Sequence, residues 1–129
     1  MVEFFRSRAL SFKYAFAGWW YVLRTQRNAW IHALISLTVM AMAVWLRLDR
    51  RDWAVLILTI AVVWMAEFIN TALEAVVDLA SPQMHPLAKV GKDVGAAAVL
   101  IASLSSVFIG LIILGPPLWA RLSGFLRFQ

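Results

Sequence analysis

A stripe of polar side chains runs along one otherwise apolar segment of the chain. Carboxylate, amide and hydroxyl residues recur there three or four positions apart, at Glu67, Asn70, Thr71, Glu74 and Asp78. An α-helix turns about 100° per residue, so all five fall within a sector of about 100° on one helix. A charged side chain at a bilayer centre costs about 2.5–3.5 kcal/mol and normally faces a bundle interior, a water-filled cleft or a cation. The stripe therefore indicates a functional site, and a polar seam between helices is the alternative.

The residue types in and after the stripe suit phosphoryl transfer. Carboxylate and amide oxygens are ligands for Mg²⁺, which usually keeps several waters and binds substrate phosphates. Lys89 and Lys92 follow the stripe and could hold those phosphates. A deeper carboxylate could act as a base on a lipid hydroxyl. These parts together would support transfer from a soluble nucleotide to a membrane alcohol, a reaction that depends on positioning and charge neutralisation.

Other chemistries lack their signatures in this sequence. Gly91-Lys92 has neither the upstream glycine nor the Ser/Thr of a Walker A motif. The chain has no cysteine, and no Cys/His metal cluster or nucleophilic triad can be recognised. The site is therefore expected to work through oxygen ligands and fixed charges.

Composition indicates a membrane protein of one domain, residues 1–129. Hydrophobic residues make up 63% of the chain and charged residues 15%, whereas soluble domains are about 45–50% apolar and 25% charged. The net charge of +5 favours contact with anionic head groups or an anionic substrate, and nucleic acid is not an expected partner.

The elements that must position the stripe can be read from the apolar runs. Residues 1–24 carry an aromatic face with basic flanks, which predicts an amphipathic helix on the membrane surface; a poor transmembrane segment is the alternative. Residues 28–46 carry no formal charge with His32 counted as neutral, and predict the first transmembrane helix. His32 is expected to be an interfacial side chain rather than a ligand.

Two more spans follow. Residues 53–80 predict the second transmembrane helix, capped by Asp49 or Asp52. Residues 81–93 contain two prolines and predict a loop, and residues 94–115 predict the third span, which Gly115-Pro116-Pro117 would end. Residues 116–129 then form a short basic tail.

Three spans place the two ends of the chain on opposite sides of the membrane. Seven of the 12 basic residues would share the side of residues 1–24 and of the 81–93 loop: Arg6, Arg8, Lys13, Arg24, Arg27, Lys89 and Lys92. This weak excess favours a cytoplasmic location for that side.

The amino-acid sequence of residues 67–99 is more specific than this general pattern. The run from Glu67 to Asp78, followed by His85-Pro-Leu-Ala-Lys89 and Lys92-Asp93-Val-Gly-Ala-Ala-Ala-Val, closely resembles the signature of the small prokaryotic membrane lipid kinases. These are the diacylglycerol kinase and undecaprenol kinase family, and the resemblance extends from Ser11 to about Leu114. Two segments resemble the undecaprenol kinases more than the diacylglycerol kinases: His85–Lys89 and Arg27-Asn28-x-x-Ile31-His32.

The resemblance implies a homotrimer of three-helix protomers in a bacterial inner membrane, each with a surface helix, and active sites between subunits at the cytoplasmic face. It implies ATP with Mg²⁺ as the donor, and a lipid alcohol, undecaprenol before diacylglycerol, as the acceptor. Glu67 matches the base, and Glu74 matches a metal ligand. The matching nucleotide-binding residues are Tyr14, Gln26, Glu74, Gln83, Met84, His85, Lys92 and Asp93. Lipid-substrate residues are Glu67, Asn70, Trp30 and Ala96, and supporting residues are Asp78 and Lys89.

One position departs from the family pattern. The family has a second metal-binding glutamate before the Arg-Asn pair, where this chain has Gln26. An amide offers a carbonyl oxygen but no charge, so we expect weaker metal affinity, with Gln26 as a neutral ligand or with a neighbouring residue compensating for the lost charge.

Two functions of other classes fit the stripe. Intramembrane acids also build proton and ion paths in transporters, and they can join helices in a protein that only assembles. The stripe lies toward one end of the second span and is followed by lysines, which favours the kinase.

Overall fold

A computed structural model describes residues 1–83 and 85–126 and shows four helices in this part of the chain. They are α1 (Val2–Thr25), α2 (Arg27–Leu46), α3 (Arg50–Ala80) and α4 (Pro86–Leu126). The segments Arg27–Leu46, Arg50–Ala80 and Pro86–Gly124 are long and apolar enough to cross a membrane. The predicted fold class, an all-α membrane protein with one N-terminal helix and three spans, is confirmed.

Short polar breaks separate the first three helices. Gln26 has an extended backbone between α1 and α2, with φ −104° and ψ 116°, and its side chain caps neither helix. Arg47 ends α2 in the left-handed conformation. Asp49 caps α3, because its carboxylate accepts hydrogen bonds from the N–H groups of Arg51 at 2.8 Å and Asp52 at 2.9 Å. This cap moves the start of α3 from the predicted residue 53 to Arg50.

The segment predicted as a loop over 81–93 is mostly helical. Helix α4 begins at Pro86, so only residues 81–85 separate it from α3. Proline is tolerated in the first helical turn because its missing N–H needs no partner there. The N–H of Leu87 donates to Nδ1 of His85 at 3.2 Å, which satisfies another unpaired donor of this turn. The prolines therefore mark a helix start here, and Lys89, Lys92 and Asp93 lie on α4.

The predicted end of the third span at residues 115–117 is also wrong. Helix α4 continues through Pro116 and Pro117 to Leu126. A proline removes one backbone hydrogen bond and crowds the carbonyl four residues earlier, a cost that membrane helices tolerate when other groups satisfy the freed carbonyl. Part of the predicted tail, residues 116–126, is therefore helical.

The three spans share a small apolar core at the end away from the polar stripe. Ala43 of α2, Leu56 of α3 and Leu114 of α4 form a buried core there. Partly buried neighbours complete it: Val39, Met42, Leu46, Leu48, Trp53 and Ile113. Most other large apolar side chains are exposed on the single chain, as expected of surfaces that face lipid or further subunits.

Aromatic contacts attach α1 to α3. The ring of Trp19 lies 4.7 Å from that of Trp64 and 4.8 Å from that of Phe68, measured between centroids. The remaining aromatic side chains of α1, including Phe5, Phe12 and Phe16, stay exposed. This arrangement is the one expected of an amphipathic helix that lies against a bundle at the membrane surface.

Candidate active site

The polar stripe of α3 meets a different element at each of its levels. Glu67 faces His32 of α2, Glu74 faces Gln26 at the α1–α2 break, and Asp78 faces Lys92 of α4. The α1–α2 break, α2 and α4 therefore meet on one side of α3, near its C-terminal end.

Glu67 is the most deeply buried member of the stripe, with 1% of its surface exposed. Its Oε2 lies 3.7 Å from Nε2 of His32, which is beyond hydrogen-bond distance. Neither atom has a hydrogen-bond partner among residues 1–83 and 85–126. A buried carboxylate is costly unless it is paired and hydrogen-bonded, so stability does not account for a glutamate at this position.

Glu74 receives two hydrogen bonds from amide groups. Nδ2 of Asn70 donates to one carboxylate oxygen at 3.3 Å, and Nε2 of Gln26 donates to the other at 3.2 Å. The second bond joins residues 48 positions apart and ties the α1–α2 break to α3. A neutral amide at position 26 therefore stabilises Glu74 without a cation, where a glutamate would repel it.

The donor set at Glu74 fits Mg²⁺ that arrives with a nucleotide. No group of three or more His, Cys, Asp or Glu side chains able to hold a metal occurs within residues 1–83 and 85–126. Glu74 can supply one carboxylate, and Gln26 can turn its carbonyl oxygen toward a cation. Mg²⁺ commonly takes one or two carboxylates and fills its other positions with water and phosphate.

Ion pairs surround the start of α4. Nζ of Lys92 lies 2.5 Å from Oδ1 of Asp78, which joins α4 to α3. Nζ of Lys89 lies 2.6 Å from Oδ2 of Asp93 on the same helix. All four side chains are at least 40% exposed, so the pairs contribute little to stability. An incoming phosphate could replace the carboxylate partner of either lysine.

A cavity of about 260 Å³ opens beside Glu67 and Glu74. Its polar lining comes from the α1–α2 break, α2, α3 and α4: Gln26, Asn28, His32, Glu67, Asn70, Glu74 and Ser103. Ile31, Ala96, Val99 and Leu100 complete the wall. We call this space the polar cavity.

A second, apolar cavity of about 460 Å³ adjoins the polar cavity. The two share Ile31, His32 and Ser103 as lining residues. The apolar cavity continues between α2, α3 and α4 past Val63 and Leu56 to Leu118. A polar head group beside Glu67 could therefore carry a hydrocarbon chain that runs toward the buried core.

The structure brings together some of the predicted site residues and separates others. Gln26, Glu67, Asn70, Glu74 and Ala96 all line the polar cavity. The residues outside its lining are Tyr14, Trp30, Asp78, Gln83, His85, Lys89, Lys92 and Asp93. Tyr14 and Trp30 are 68% and 65% exposed, the carbonyl of Gln83 accepts a hydrogen bond from Ser81, and His85 caps α4. Met84 lies outside the described residues.

His32, Asn28 and Ser103 line the cavity but were not predicted as site residues. Spacing could have indicated the first two, because Asn28, His32 and Ser36 lie four residues apart and share one face of α2. Ser103 stands among several serines on α4, and nothing in the sequence separates it from them.

Comparison with known proteins gives one consistent family. Residues 13–114 match the family described as prokaryotic diacylglycerol kinase. A diacylglycerol kinase of Synechocystis sp. is 46% identical over 110 residues, which cover 84% of this chain and 63% of the relative. An undecaprenol kinase of Bacillus subtilis is 38% identical over 108 residues, covering 84% of this chain and 88% of the relative. A diacylglycerol kinase of Escherichia coli K12 is 36% identical over 95 residues, 68% of this chain and 78% of the relative.

The chain spans less than two thirds of the Synechocystis relative's length but most of the other two. The matched residues include α2, α3, and α4 as far as its buried core residue Leu114. They also include every residue that lines the polar cavity. The chain belongs to the prokaryotic diacylglycerol kinase family.

Proposed function

We propose that the protein is a lipid kinase that transfers the γ-phosphoryl group of ATP to the hydroxyl of a membrane lipid alcohol. The observation that carries this proposal is the position of Glu67. Its unpaired carboxylate oxygen is buried in the wall of the polar cavity, 3.7 Å from His32, a residue that also lines the adjoining apolar cavity. A base for a lipid hydroxyl needs such a place, because the hydroxyl and its hydrocarbon chain require opposite surroundings.

The acceptor is undecaprenol in this proposal, and diacylglycerol is the alternative. Family membership supports both, since relatives of similar coverage carry either name. Undecaprenol is preferred because of three residues that line the polar cavity. Asn28, Ile31 and His32 belong to the segment that resembles the undecaprenol kinases, and all three line the polar cavity. Direct comparison of the two alcohols tests this choice.

In this proposal the nucleotide binds at the C-terminal part of the stripe and at the start of α4. Glu74 and Gln26 would hold Mg²⁺, which neutralises phosphate charge when bound. Lys92, released from Asp78, would hold the phosphates. Tyr14, Gln83, Met84, His85 and Asp93 are the other proposed nucleotide residues, with Lys89 and Asp78 in support. Trp30 and Ala96 complete the proposed lipid site.

The reaction is one displacement at phosphorus. The proton of the lipid hydroxyl passes to the Glu67 carboxylate, and the lipid oxygen forms a bond to the γ-phosphorus. The bond from that phosphorus to the β–γ bridging oxygen breaks, and ADP leaves with the electron pair. The residues of the polar cavity act by holding the oxygen and excluding water.

The proposed assembly is a homotrimer at the cytoplasmic face of a bacterial inner membrane, with sites between subunits. Tyr14, predicted to bind the nucleotide, and Trp30, predicted to bind the lipid, are both exposed on the single chain. A neighbouring subunit could cover them and complete the site. Mass measurement of the purified protein in detergent tests the trimer.

The kinase is tested by incubating the purified protein with γ-³²P-ATP, Mg²⁺ and either undecaprenol or diacylglycerol in detergent. We expect label in the lipid phase, with a higher kcat/KM for undecaprenol. A transporter or an assembly protein would label neither lipid. Faster labelling of diacylglycerol would reverse the choice of acceptor and leave the kinase intact.

A further inference from the structure

Unpaired buried polar atoms concentrate at one place in this protein. In the part of the chain that the structure describes, four buried side-chain atoms lack a hydrogen-bond partner: Nε2 of His32, Oε2 of Glu67, Oδ1 of Asn70 and Oγ of Ser103. All four residues line the polar cavity. Each unpaired buried group costs about 1–3 kcal/mol, so their common location indicates a ligand that supplies the missing bonds.

Two of these atoms lie side by side at a spacing that one oxygen atom in the polar cavity could bridge. Nε2 of His32 and Oε2 of Glu67 are 3.7 Å apart. This distance is too long for a direct hydrogen bond, yet an oxygen could lie about 2.8 Å from both. A carboxylate accepts hydrogen bonds, and an imidazole N–H donates one. A hydroxyl group, which donates once and accepts as well, matches both sides.

The His32 ring is held in place by its neighbours. It lies edge-on to the ring of Trp64, with centroids 6.3 Å apart. The indole N–H of Trp64 donates to Oγ of Ser36, one turn further along α2, at 3.3 Å. Trp64 also precedes Glu67 by three residues, so one aromatic side chain fixes the spacing of α2 and α3 at this level.

We propose that His32 is a second catalytic residue, whose Nε2–H donates a hydrogen bond to the acceptor oxygen while Glu67 receives that oxygen's proton. This inference rests on the proposed kinase function. In the displacement described above, one lone pair of the hydroxyl oxygen accepts from His32 and the other attacks phosphorus. His32 gains and loses no atom. Its hydrogen bond points the O–H bond at Glu67 and so selects for a hydroxyl acceptor.

Three substitutions at position 32 test the proposal. His32→Leu removes the donor. His32→Gln keeps an N–H near the place of Nε2, and His32→Asn keeps an amide that is too short to reach it. Thr38→Ala is the control, because Thr38 lies exposed on the same helix and its hydroxyl bonds only to the carbonyl of Leu34. Each protein is assayed in detergent with γ-³²P-ATP and undecaprenol, and KM is measured separately for each substrate.

We expect His32→Leu and His32→Asn to lower kcat/KM for the lipid by about 10- to 100-fold, as loss of one hydrogen bond to the reacting group predicts. KM for ATP should stay within about threefold of the wild-type value, and His32→Gln should recover most of the loss. If His32→Leu does not fold, the comparison of Gln with Asn decides.

Equal activity of the Gln and Asn variants would overturn the role of His32, as would equal losses toward lipid and ATP. A wild-type level of lipid transfer in His32→Leu would also overturn it while leaving the kinase standing. Absence of lipid transfer by the wild-type protein would instead remove the proposed function itself.

Discussion

Glu67 and Glu74 lie on the same face of α3 but have different surroundings. Glu74 is half-buried and accepts hydrogen bonds from Gln26 and Asn70. Glu67 is buried and keeps an unpaired oxygen beside His32. A carboxylate whose bonds are satisfied can hold a cation, whereas one without a partner is free to receive a proton. The two glutamates therefore suit the two halves of phosphoryl transfer.

Replacement of Glu67 by glutamine should separate catalysis from folding and nucleotide binding. Glutamine has nearly the same shape but cannot take the hydroxyl proton at neutral pH. We expect kcat for lipid phosphorylation to fall by at least about 100-fold, within the range of general-base contributions. Thermal unfolding and nucleotide affinity, measured in the same detergent, should change little. Retained turnover would show that Glu67 is not the base.

Gln26→Glu should change the response to Mg²⁺. The substitution places a second carboxylate where an amide now donates to Glu74, so the two acids repel each other until a cation binds between them. We expect a lower Mg²⁺ concentration for half-maximal activity and lower thermal stability without the metal.

Gln26→Ala is the matched control, since it removes the hydrogen bond without adding charge. If Gln26→Glu does not tighten Mg²⁺ dependence beyond the wild-type value, position 26 is not a ligand.

At the scale of elements, close approach of α3 and α4 shapes the polar cavity. A Cβ atom at Gly95 would collide with Oδ1 of Asn70 and lie 3.1 Å from a methyl group of Leu73. The glycine therefore leaves room for the amide that donates to Glu74.

Gly95→Ala should displace Asn70 and reduce activity by disturbing Glu74. Overpacking of this kind costs about 1–3 kcal/mol of stability, so we expect a lower unfolding temperature together with a higher KM for Mg-ATP. Gly124→Ala on the same helix is the control, because no atom of the described residues lies within 4 Å of its added Cβ. Equal behaviour of the two alanine variants would contradict this account of the α3–α4 contact.

Asp49 should matter for stability and not for catalysis. It caps α3 through two backbone N–H groups and lies at the end of the helix away from the stripe. Asp49→Ala should lower the free energy of unfolding by about 1 kcal/mol, whereas Asp49→Asn, which also caps, should lower it less. Kinase activity at a temperature well below unfolding should be unchanged in both variants, and a change would link this end of α3 to the site.

The sequence predicted the helices better than their ends. Apolar runs indicated all three spans, because a membrane-spanning helix must be long and predominantly apolar. Prolines were wrongly predicted to end helices. Pro86 begins α4, and Pro116 and Pro117 lie within it. The spacing of Glu67, Asn70 and Glu74 indicated the site, but the contacts of His32 and Ser103 depend on how helices pack, which spacing within one helix does not reveal.

For the whole molecule, the buried core and the polar stripe lie at opposite ends of the bundle. The buried core of Ala43, Leu56 and Leu114 lies at one end, and the stripe, the lysines of α4 and the α1–α2 break lie at the other. The apolar cavity connects the two. In the proposed reaction, a lipid would reach the polar cavity through the apolar one, and a nucleotide would approach from the opposite, water-facing end.

The most direct test of the account is phosphate transfer from γ-³²P-ATP to a lipid alcohol by the purified protein. We expect labelled undecaprenyl phosphate to form at a rate that depends on both lipid and Mg²⁺, with a slower reaction on diacylglycerol. A folded protein that binds ATP but labels neither alcohol would contradict the central claim that Glu67 serves a lipid hydroxyl.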